Sequence, residues 1–115
     1  HDHGAVSMRV HVARGFLQRA RGLLGRTSIA ADEALLIQPC SAIHTFGMRF
    51  AIDVVFIDPQ GSVLSVCEAL GPWRAARCRG AAAVLEMAPG AARREGLAPG
   101  TSILAATTLS AVTGP

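Results

Sequence analysis

Apolar and polar residues alternate near the start of the chain and then change their spacing. Residues 8–12 read MRVHV, which predicts a half-buried strand, because successive side chains of a strand point to opposite faces. From Phe16 to Leu24 the apolar residues stand three or four positions apart, which predicts a short helix that Gly25 ends. A strand that leads into a helix therefore opens the predicted fold.

The apolar runs that follow are short, and proline or glycine bounds most of them. The sequence DPQG at 58–61 places proline and glycine where a type I turn favours them, so the runs on either side of it predict a hairpin. The strands predicted after the first helix include both arms of this hairpin and are 34–37, 52–57, 62–67, 83–87 and 101–105.

Helical signals are weaker in the second half of the chain. Residues 91–95 predict one helical turn, which Gly96 closes from the left-handed conformation. The segments 40–47 and 71–82 predict irregular loops. Six or so short strands with two short helices, without regular βαβ alternation, predict a β-rich α+β fold, a small compact barrel-like or sandwich domain.

Length and composition favour one folded domain. A chain of 115 residues suits a single core, and 50% hydrophobic with 17% charged residues excludes intrinsic disorder. We expect the globular domain to span 8–115, with residues 1–7 as a disordered stub or a remnant added for expression. No apolar run reaches the roughly 18–20 residues that cross a bilayer, and no apolar signal stretch opens the chain, so we expect a cytoplasmic protein without a membrane span.

The basic residues are all arginine, and the net charge is +3. The planar fork of arginine matches carboxylates and phosphates, which indicates a small anionic ligand or a protein partner. Along the chain no aromatic residues are interleaved with the arginines to form a stacking platform, so we expect no nucleic-acid partner. We expect Trp73, the one tryptophan, to cover the core rather than to serve as a ligand platform.

Residues 40–53 hold the least ordinary side chains. Cys40, His44 and Met48 are soft or borderline metal ligands at close spacing, which indicates copper or zinc as an alternative, although a structural zinc site usually wants four ligands. Cys40 and His44 also match the nucleophile and base of a thiol enzyme, but no nucleophile elbow or cysteine-protease motif surrounds them. Three cysteines without a C-x-x-C spacing give no disulfide framework. We therefore predict no cofactor and no catalytic residue.

Two acidic residues lie inside apolar strands, Asp53 in 52–57 and Glu86 in 83–87. A carboxylate buried there must find a partner. The candidate partners of Asp53 are Arg21, Arg26, Arg49 and His44. Pinning of the fold by such a pair accounts for Asp53 as well as ligand binding does. The candidate binding residues are Arg21, His44, Thr45, Met48, Asp53 and Glu86.

Three motifs follow one another along the chain: RARGLLGR at 19–26, IHTFGM at 43–48 followed by IDVVFID at 52–58, and VLE at 84–86 followed by a stretch that ends at Gly100. With them the chain, from about Met8 to Leu104, resembles the small prokaryotic proteins grouped as domain of unknown function family 192. The resemblance implies a compact β-rich fold and no established activity, substrate or cofactor. Many relatives have tryptophan where this chain has His44, which implies that the family has no obligatory ligand or base there and gives Met48 and Asp53 more weight.

The polar residues cluster by motif, whereas no complete catalytic set is present. We therefore expect a small non-enzymatic binding or accessory domain, with a polar pocket formed by His44, Met48, Asp53 and the arginines of the first helix. One alternative is a thiol or metal enzyme that uses Cys40 and His44. Another is a structural or protein-interaction module, which predicts an exposed apolar patch together with a dry, fully paired Asp53.

Overall fold

The fold is known from a computed structural model, which describes the backbone of residues 7–13, 26–103 and 108–112 and the side chains of 8–13 and 26–103. These residues form eight strands and one short helix. In chain order they are β1 (Ser7–Ala13), β2 (Glu33–Ile37), β3 (Ala42–His44), β4 (Ile52–Ile57), β5 (Val63–Leu70), β6 (Ala75–Arg77), β7 (Ala83–Met87), α1 (Ala91–Arg94) and β8 (Thr108–Val112).

Six of the strands form one mixed sheet, in the order β5-β4-β7-β2-β1-β8. β1 pairs in parallel with β2 on one side and with β8 on the other, whereas the remaining pairs are antiparallel. β5 and β8 are the two edges, so the sheet is open and the barrel-like shape predicted from the sequence was wrong for the described residues. β3 and β6 form a separate two-stranded antiparallel ribbon.

The sheet has a core on each face, which explains why β4 and β7 are buried along their whole length and are apolar apart from Asp53 and Glu86. The helix-side core joins alternate sheet residues such as Val55 and Leu85 to α1 and to the chain that follows it. The ribbon-side core joins the other alternate residues, such as Val54 and Phe56, to the ribbon through Ile43. The ribbon therefore covers one face of the sheet, and its outward residues point away from both cores.

The strongest local signals of the sequence are confirmed. β4 and β7 have the predicted bounds, and the turn at 58–61 closes with a hydrogen bond from the Gly61 N–H to the Asp58 carbonyl oxygen at 3.0 Å. The Asp58 carboxylate also accepts the N–H groups of Gln60 and Ser62, both at 2.9 Å. Gly61 has a φ of 87°, a conformation in which a side chain would be strained, so glycine is required there.

Other predicted elements differ from the structure. β3 and β6 lie in segments that the sequence predicts to be loops. Each strand is three residues long and turns only one side chain inward, so neither leaves a recognisable strand pattern in the sequence. Of the strand predicted at 101–105 the structure describes 101–103, where a single bridge pairs Ser62 with Ser102, and the last described strand is β8. Ser7 belongs to β1 rather than to a terminal stub.

The helical turn predicted at 91–95 is confirmed as α1, and Gly96 follows it with a φ of 74°. The helix predicted over 16–24 lies outside the described residues, as do residues 1–6 of the predicted stub. In the part of the chain that the structure describes, no helix is long and apolar enough to cross a membrane.

Candidate functional site

Asp53 lies near the start of β4, next to the edge strand β5 and on the helix side of the sheet, and is fully buried. Its Oδ1 accepts the N–H of Ala69 at 2.8 Å, and its Oδ2 accepts the N–H groups of Gly90 and Ala92 at 3.0 and 3.1 Å. Ala69 belongs to an irregularity in the β4–β5 pairing and has a φ of 51°. The carboxylate thus caps α1 and fixes this irregularity, a structural task that occupies both of its oxygens.

The partners that the sequence suggested for Asp53 were wrong where the structure describes them. Arg26 binds Glu33 instead, and Arg49 and His44 are exposed. Arg21 lies outside the described residues. Backbone N–H groups satisfy the buried carboxyl group by hydrogen bonds in place of a cation, which is a common solution for an acidic side chain beside a helix start.

Thr45 is also fully buried, at the point where the chain leaves β3. Its hydroxyl donates to the carbonyl oxygen of Gly71 at 2.6 Å and accepts the N–H of Arg74 at 2.9 Å. Its own N–H donates to the Arg74 carbonyl at 2.8 Å, and its carbonyl accepts the N–H of Trp73 at 3.1 Å. Thr45 therefore fastens the loop after β3 to the loop before β6.

The three predicted soft ligands have different surroundings. Met48 is buried in the ribbon-side core, and Cys40 packs against that core with its thiol 3.1 Å from the carbonyl oxygen of Ala42. His44 lies on the outward face of the ribbon, and its Nδ1 accepts the N–H of Phe46 at 3.2 Å. No group of three or more His, Cys, Asp and Glu residues within the described ranges could hold a metal ion. Copper or zinc on this segment remains a prediction.

The loops that Thr45 joins carry a stack of three exposed rings, here called the aromatic stack: His44, Phe46 and Trp73. The ring centroids of His44 and Phe46 are 4.7 Å apart, and those of Phe46 and Trp73 are 5.8 Å apart, with interplanar angles of 29° and 22°. Phe46 is 46% exposed and Trp73 is 69% exposed. The expectation that Trp73 covers the core was therefore wrong.

Trp73 has a left-handed backbone, with a φ of 62°. Such a conformation costs a bulky residue on the order of 1–3 kcal/mol, and it persists only where the surroundings impose it. The hydrogen bond from the Trp73 N–H to the Thr45 carbonyl supplies this constraint. The fold thus holds its only tryptophan out of the core.

The described arginines fall into two sets. Four of them pair with carboxylates, in the pairs Arg9–Asp32, Arg26–Glu33, Arg93–Glu68 and Arg94–Glu95. The other four are exposed and form no ion pair with the residues that the structure describes, and they are Arg49, Arg74, Arg77 and Arg79. All four lie in the segments 40–51 and 71–82, which contain no acidic residue and which form the ribbon and its loops.

Register places part of this charge beside the aromatic stack. In the ribbon His44 pairs with Ala75, and Ala42 pairs with Arg77, so His44 and Arg77 are diagonal neighbours on the outward face. Arg74 directly follows Trp73 in the chain. We call the surface formed by His44, Phe46, Trp73, Arg74 and Arg77 the ribbon face. Sequence reasoning missed it because its members come from two segments without a periodic pattern.

Glu86 lies on the ribbon side of the sheet and is only 4% exposed. It stands between Leu35 and Val54 on the neighbouring strands. No hydrogen bond to its carboxylate is found in the described part of the chain, and burial raises its pKa to about 7. The sheet separates Glu86 from Asp53, and His44 faces outward, so the predicted binding residues do not share one pocket within the described ranges.

A second acid on this side of the sheet, Glu33, is fully engaged. Both of its oxygens accept from the Arg26 guanidinium, at 2.8 and 3.0 Å, and one also accepts the N–H of Ala30 at 3.2 Å. The hydrogen bonds from Arg26 lower the pKa of Glu33 to about 2. His11 Nε2 lies 3.3 Å from Glu33 Oε2 but outside hydrogen-bond geometry, which leaves this buried nitrogen without a hydrogen bond.

The described residues thus form an open mixed sheet with a two-stranded ribbon packed across one face. The chain belongs to the family DUF192, described as "Uncharacterized ACR, COG1430", whose model matches residues 1–105. The resemblance seen in the sequence motifs is thereby confirmed.

Two solved structures are similar to this chain. A protein of unknown function from Novosphingobium aromaticivorans DSM 12444 is 25% identical with a TM-score of 0.73, over 81% of this chain and 71% of that one. A putative transcription regulator from Sinorhizobium meliloti 1021 is 26% identical with a TM-score of 0.72, over 79% of this chain and 76% of that one. No curated protein matches the chain.

Proposed function

We propose that this chain is a small non-enzymatic interaction domain that binds an anionic partner through the ribbon face. The observation that carries this proposal is the division of the arginines. Every described arginine outside the ribbon segments has a carboxylate partner, whereas Arg49, Arg74, Arg77 and Arg79 have none among the residues that the structure describes. An uncompensated cluster of guanidinium groups on one side of a protein attracts carboxylates or phosphates.

The exposed rings support the same surface. Aromatic residues and arginine are enriched where proteins bind partners, and the backbone strain at Trp73 keeps a large apolar side chain in water. An interaction module is expected to have a fully paired, buried Asp53 and an exposed apolar patch. Asp53 is fully buried with three N–H partners, and Phe46 and Trp73 are exposed. Of the predicted binding residues, the proposal keeps His44 on the ribbon face and assigns Thr45 and Asp53 to the support of the fold.

The alternative of a thiol or metal enzyme has weaker support. The Cys40 thiol donates to the carbonyl oxygen of Ala42, and the His44 Nδ1 accepts the N–H of Phe46, so each has a backbone partner close by in the chain. The description of the Sinorhizobium meliloti protein as a putative transcription regulator is compatible with an anionic partner for this chain, but the arginine distribution is the stronger support.

Retention on heparin tests the proposal, because heparin is a polyanion of no particular sequence. The test variant is Arg74→Gln/Arg77→Gln, and the matched control is Arg9→Gln/Arg93→Gln, which removes the same charge from exposed arginines that have carboxylate partners. We expect the first variant to elute at clearly lower salt than the wild type and the control to elute near it. Equal elution of the two variants would show that only net charge matters and would refute a defined anion-binding face.

A further inference from the structure

The aromatic stack ends in a free ring face. Phe46 lies between His44 and Trp73, so one face of the indole is covered by Phe46. Trp73 is 69% exposed, so most of the indole surface beyond its contact with Phe46 is open to solvent. A planar group can therefore extend the column by one more ring, because flat aromatic surfaces associate in offset stacks.

Positive charge flanks this position on the ribbon face. Arg74 is adjacent to Trp73 in the chain, and Arg77 lies on the outward face of β6. Neither guanidinium is held by a carboxylate among the described residues. A ligand that fits both features carries flat uncharged rings together with regularly spaced anions.

Unpaired nucleotides have this composition. Resting on the proposed function, we infer that the ribbon face binds single-stranded nucleic acid, with a base stacked on the free face of Trp73 and phosphates held by Arg74 and Arg77. The sequence argued against such a partner because no aromatic residue is interleaved with the arginines. Folding removes this objection, since it brings the ring centroids of Phe46 and Trp73 to 5.8 Å from one another in the loops that flank the ribbon, where Arg74 follows Trp73 and Arg77 is a diagonal neighbour of His44.

A duplex or an acidic peptide fits less well. The bases of a duplex are stacked on one another and cannot offer a face to Trp73, whereas those of a single strand can. An acidic peptide would engage the arginines but would leave the exposed indole unused. Binding through stacking and phosphate contacts also requires no reading of base edges, so we expect little sequence preference and a strong dependence on salt.

The single tryptophan makes the inference directly measurable, because all of the indole fluorescence of the chain comes from Trp73. The ligands are a fluorescein-labelled oligothymidylate, an abasic strand of equal length and charge, a duplex and polyglutamate. We expect oligothymidylate to quench the indole emission and to bind more tightly than the abasic strand. Replacing Trp73→Ala should weaken oligothymidylate binding by about 5- to 150-fold, while leaving binding of the abasic strand unchanged.

Salt dependence tests the arginines separately. The logarithm of the association constant falls linearly with the logarithm of the salt concentration, and each phosphate contact to a single strand adds about 0.7 to the steepness of this fall. Arg74→Gln/Arg77→Gln should therefore make the slope shallower by roughly 1.4. The control Arg9→Gln/Arg93→Gln should leave it unchanged. Because Trp73 and both arginines are exposed, the variants are expected to fold, and a circular dichroism spectrum checks this.

The results distinguish a failure of the nucleic-acid inference from a failure of the proposed anion-binding function. Equal binding of oligothymidylate and the abasic strand, without quenching, would overturn the nucleic-acid inference and leave an anion-binding face in place. Tighter binding of the duplex or of polyglutamate would overturn it in the same way. Failure of all four ligands to bind would overturn the proposed function as well.

Discussion

The carboxylate of Asp53 and the backbone N–H of Ala92 are joined by a buried 3.1 Å hydrogen bond that links β4 to the first turn of α1. Replacing Asp53→Ala would leave this N–H and those of Gly90 and Ala69 without their acceptor. Since each buried group left unpaired costs roughly 1–3 kcal/mol, we expect the free energy of unfolding to fall by about 3 kcal/mol or more. Urea unfolding measures the change.

A matched control for this variant is Asp32→Ala, which removes a carboxylate from an exposed pair with Arg9. Exposed pairs of this kind are worth about 0–1 kcal/mol. If both variants lost the same free energy of unfolding, Asp53 would stabilise the fold no more than an exposed carboxylate does.

Glu86 should make the protein less stable as the pH rises. An ordinary glutamate ionises near 4.5, whereas Glu86 in the folded state has a pKa of about 7, so between these values the folded state holds a proton that the unfolded state has lost. The stability present below pH 4.5 is therefore lost progressively up to about pH 7, by about 3 kcal/mol in all. Urea unfolding at pH 5 and pH 8 tests this difference. The difference in the free energy of unfolding between the two pH values should largely vanish in Glu86→Gln, whereas the exposed control Glu68→Gln should retain this difference.

Glu33 should act in the opposite direction, at lower pH. Its pKa is about 2 in the folded state and near 4.5 when unperturbed, so the pair with Arg26 stabilises the fold above pH 4.5 and is lost as the pH falls through 2. Because Arg26 is partly exposed, water screens the pair, and we expect Glu33→Gln to cost about 1–2 kcal/mol at pH 7. Acid titration followed by circular dichroism should give a higher unfolding midpoint pH for the variant, and an unchanged midpoint would contradict the role of the pair.

Thr45 should control the order of the aromatic stack. Thr45→Val keeps the shape of the side chain but leaves the Gly71 carbonyl and the Arg74 N–H without the hydroxyl. We expect a loss of about 1–3 kcal/mol in the free energy of unfolding and a lower fluorescence anisotropy of Trp73. Thr45→Ser retains the hydroxyl and should preserve the anisotropy. If both variants had the anisotropy of the wild type, the loop connection would not be what orients Trp73.

The sequence predicts those parts of the fold that depend on neighbours in the chain. The hairpin at 58–61 follows from its own turn residues, and β4 and β7 follow from continuous apolar runs. The ribbon could not be predicted in this way, because β3 and β6 each bury one residue and their partner is another short strand. Periodicity requires a longer run than three residues to be recognised.

The site was harder to predict than the fold. Asp53 is identifiable as a buried acid, but its partners are backbone N–H groups 16, 37 and 39 positions away. No pattern of side chains in the sequence predicts these partners. Trp73 is exposed against the usual preference of tryptophan, because Thr45 fixes its backbone from a different segment. Such placements arise from tertiary contacts alone.

The parallel pairing of β1 with β8 has a consequence for biosynthesis. β1 (Ser7–Ala13) is synthesised well before β8 (Thr108–Val112), yet the two are neighbours in the finished sheet. A nascent chain can build the hairpin and the ribbon early, but one edge of β1 stays open until translation has passed Val112. Pairing over so long a sequence separation slows folding, and the uncovered edge is a place where a chaperone or a second nascent chain can attach.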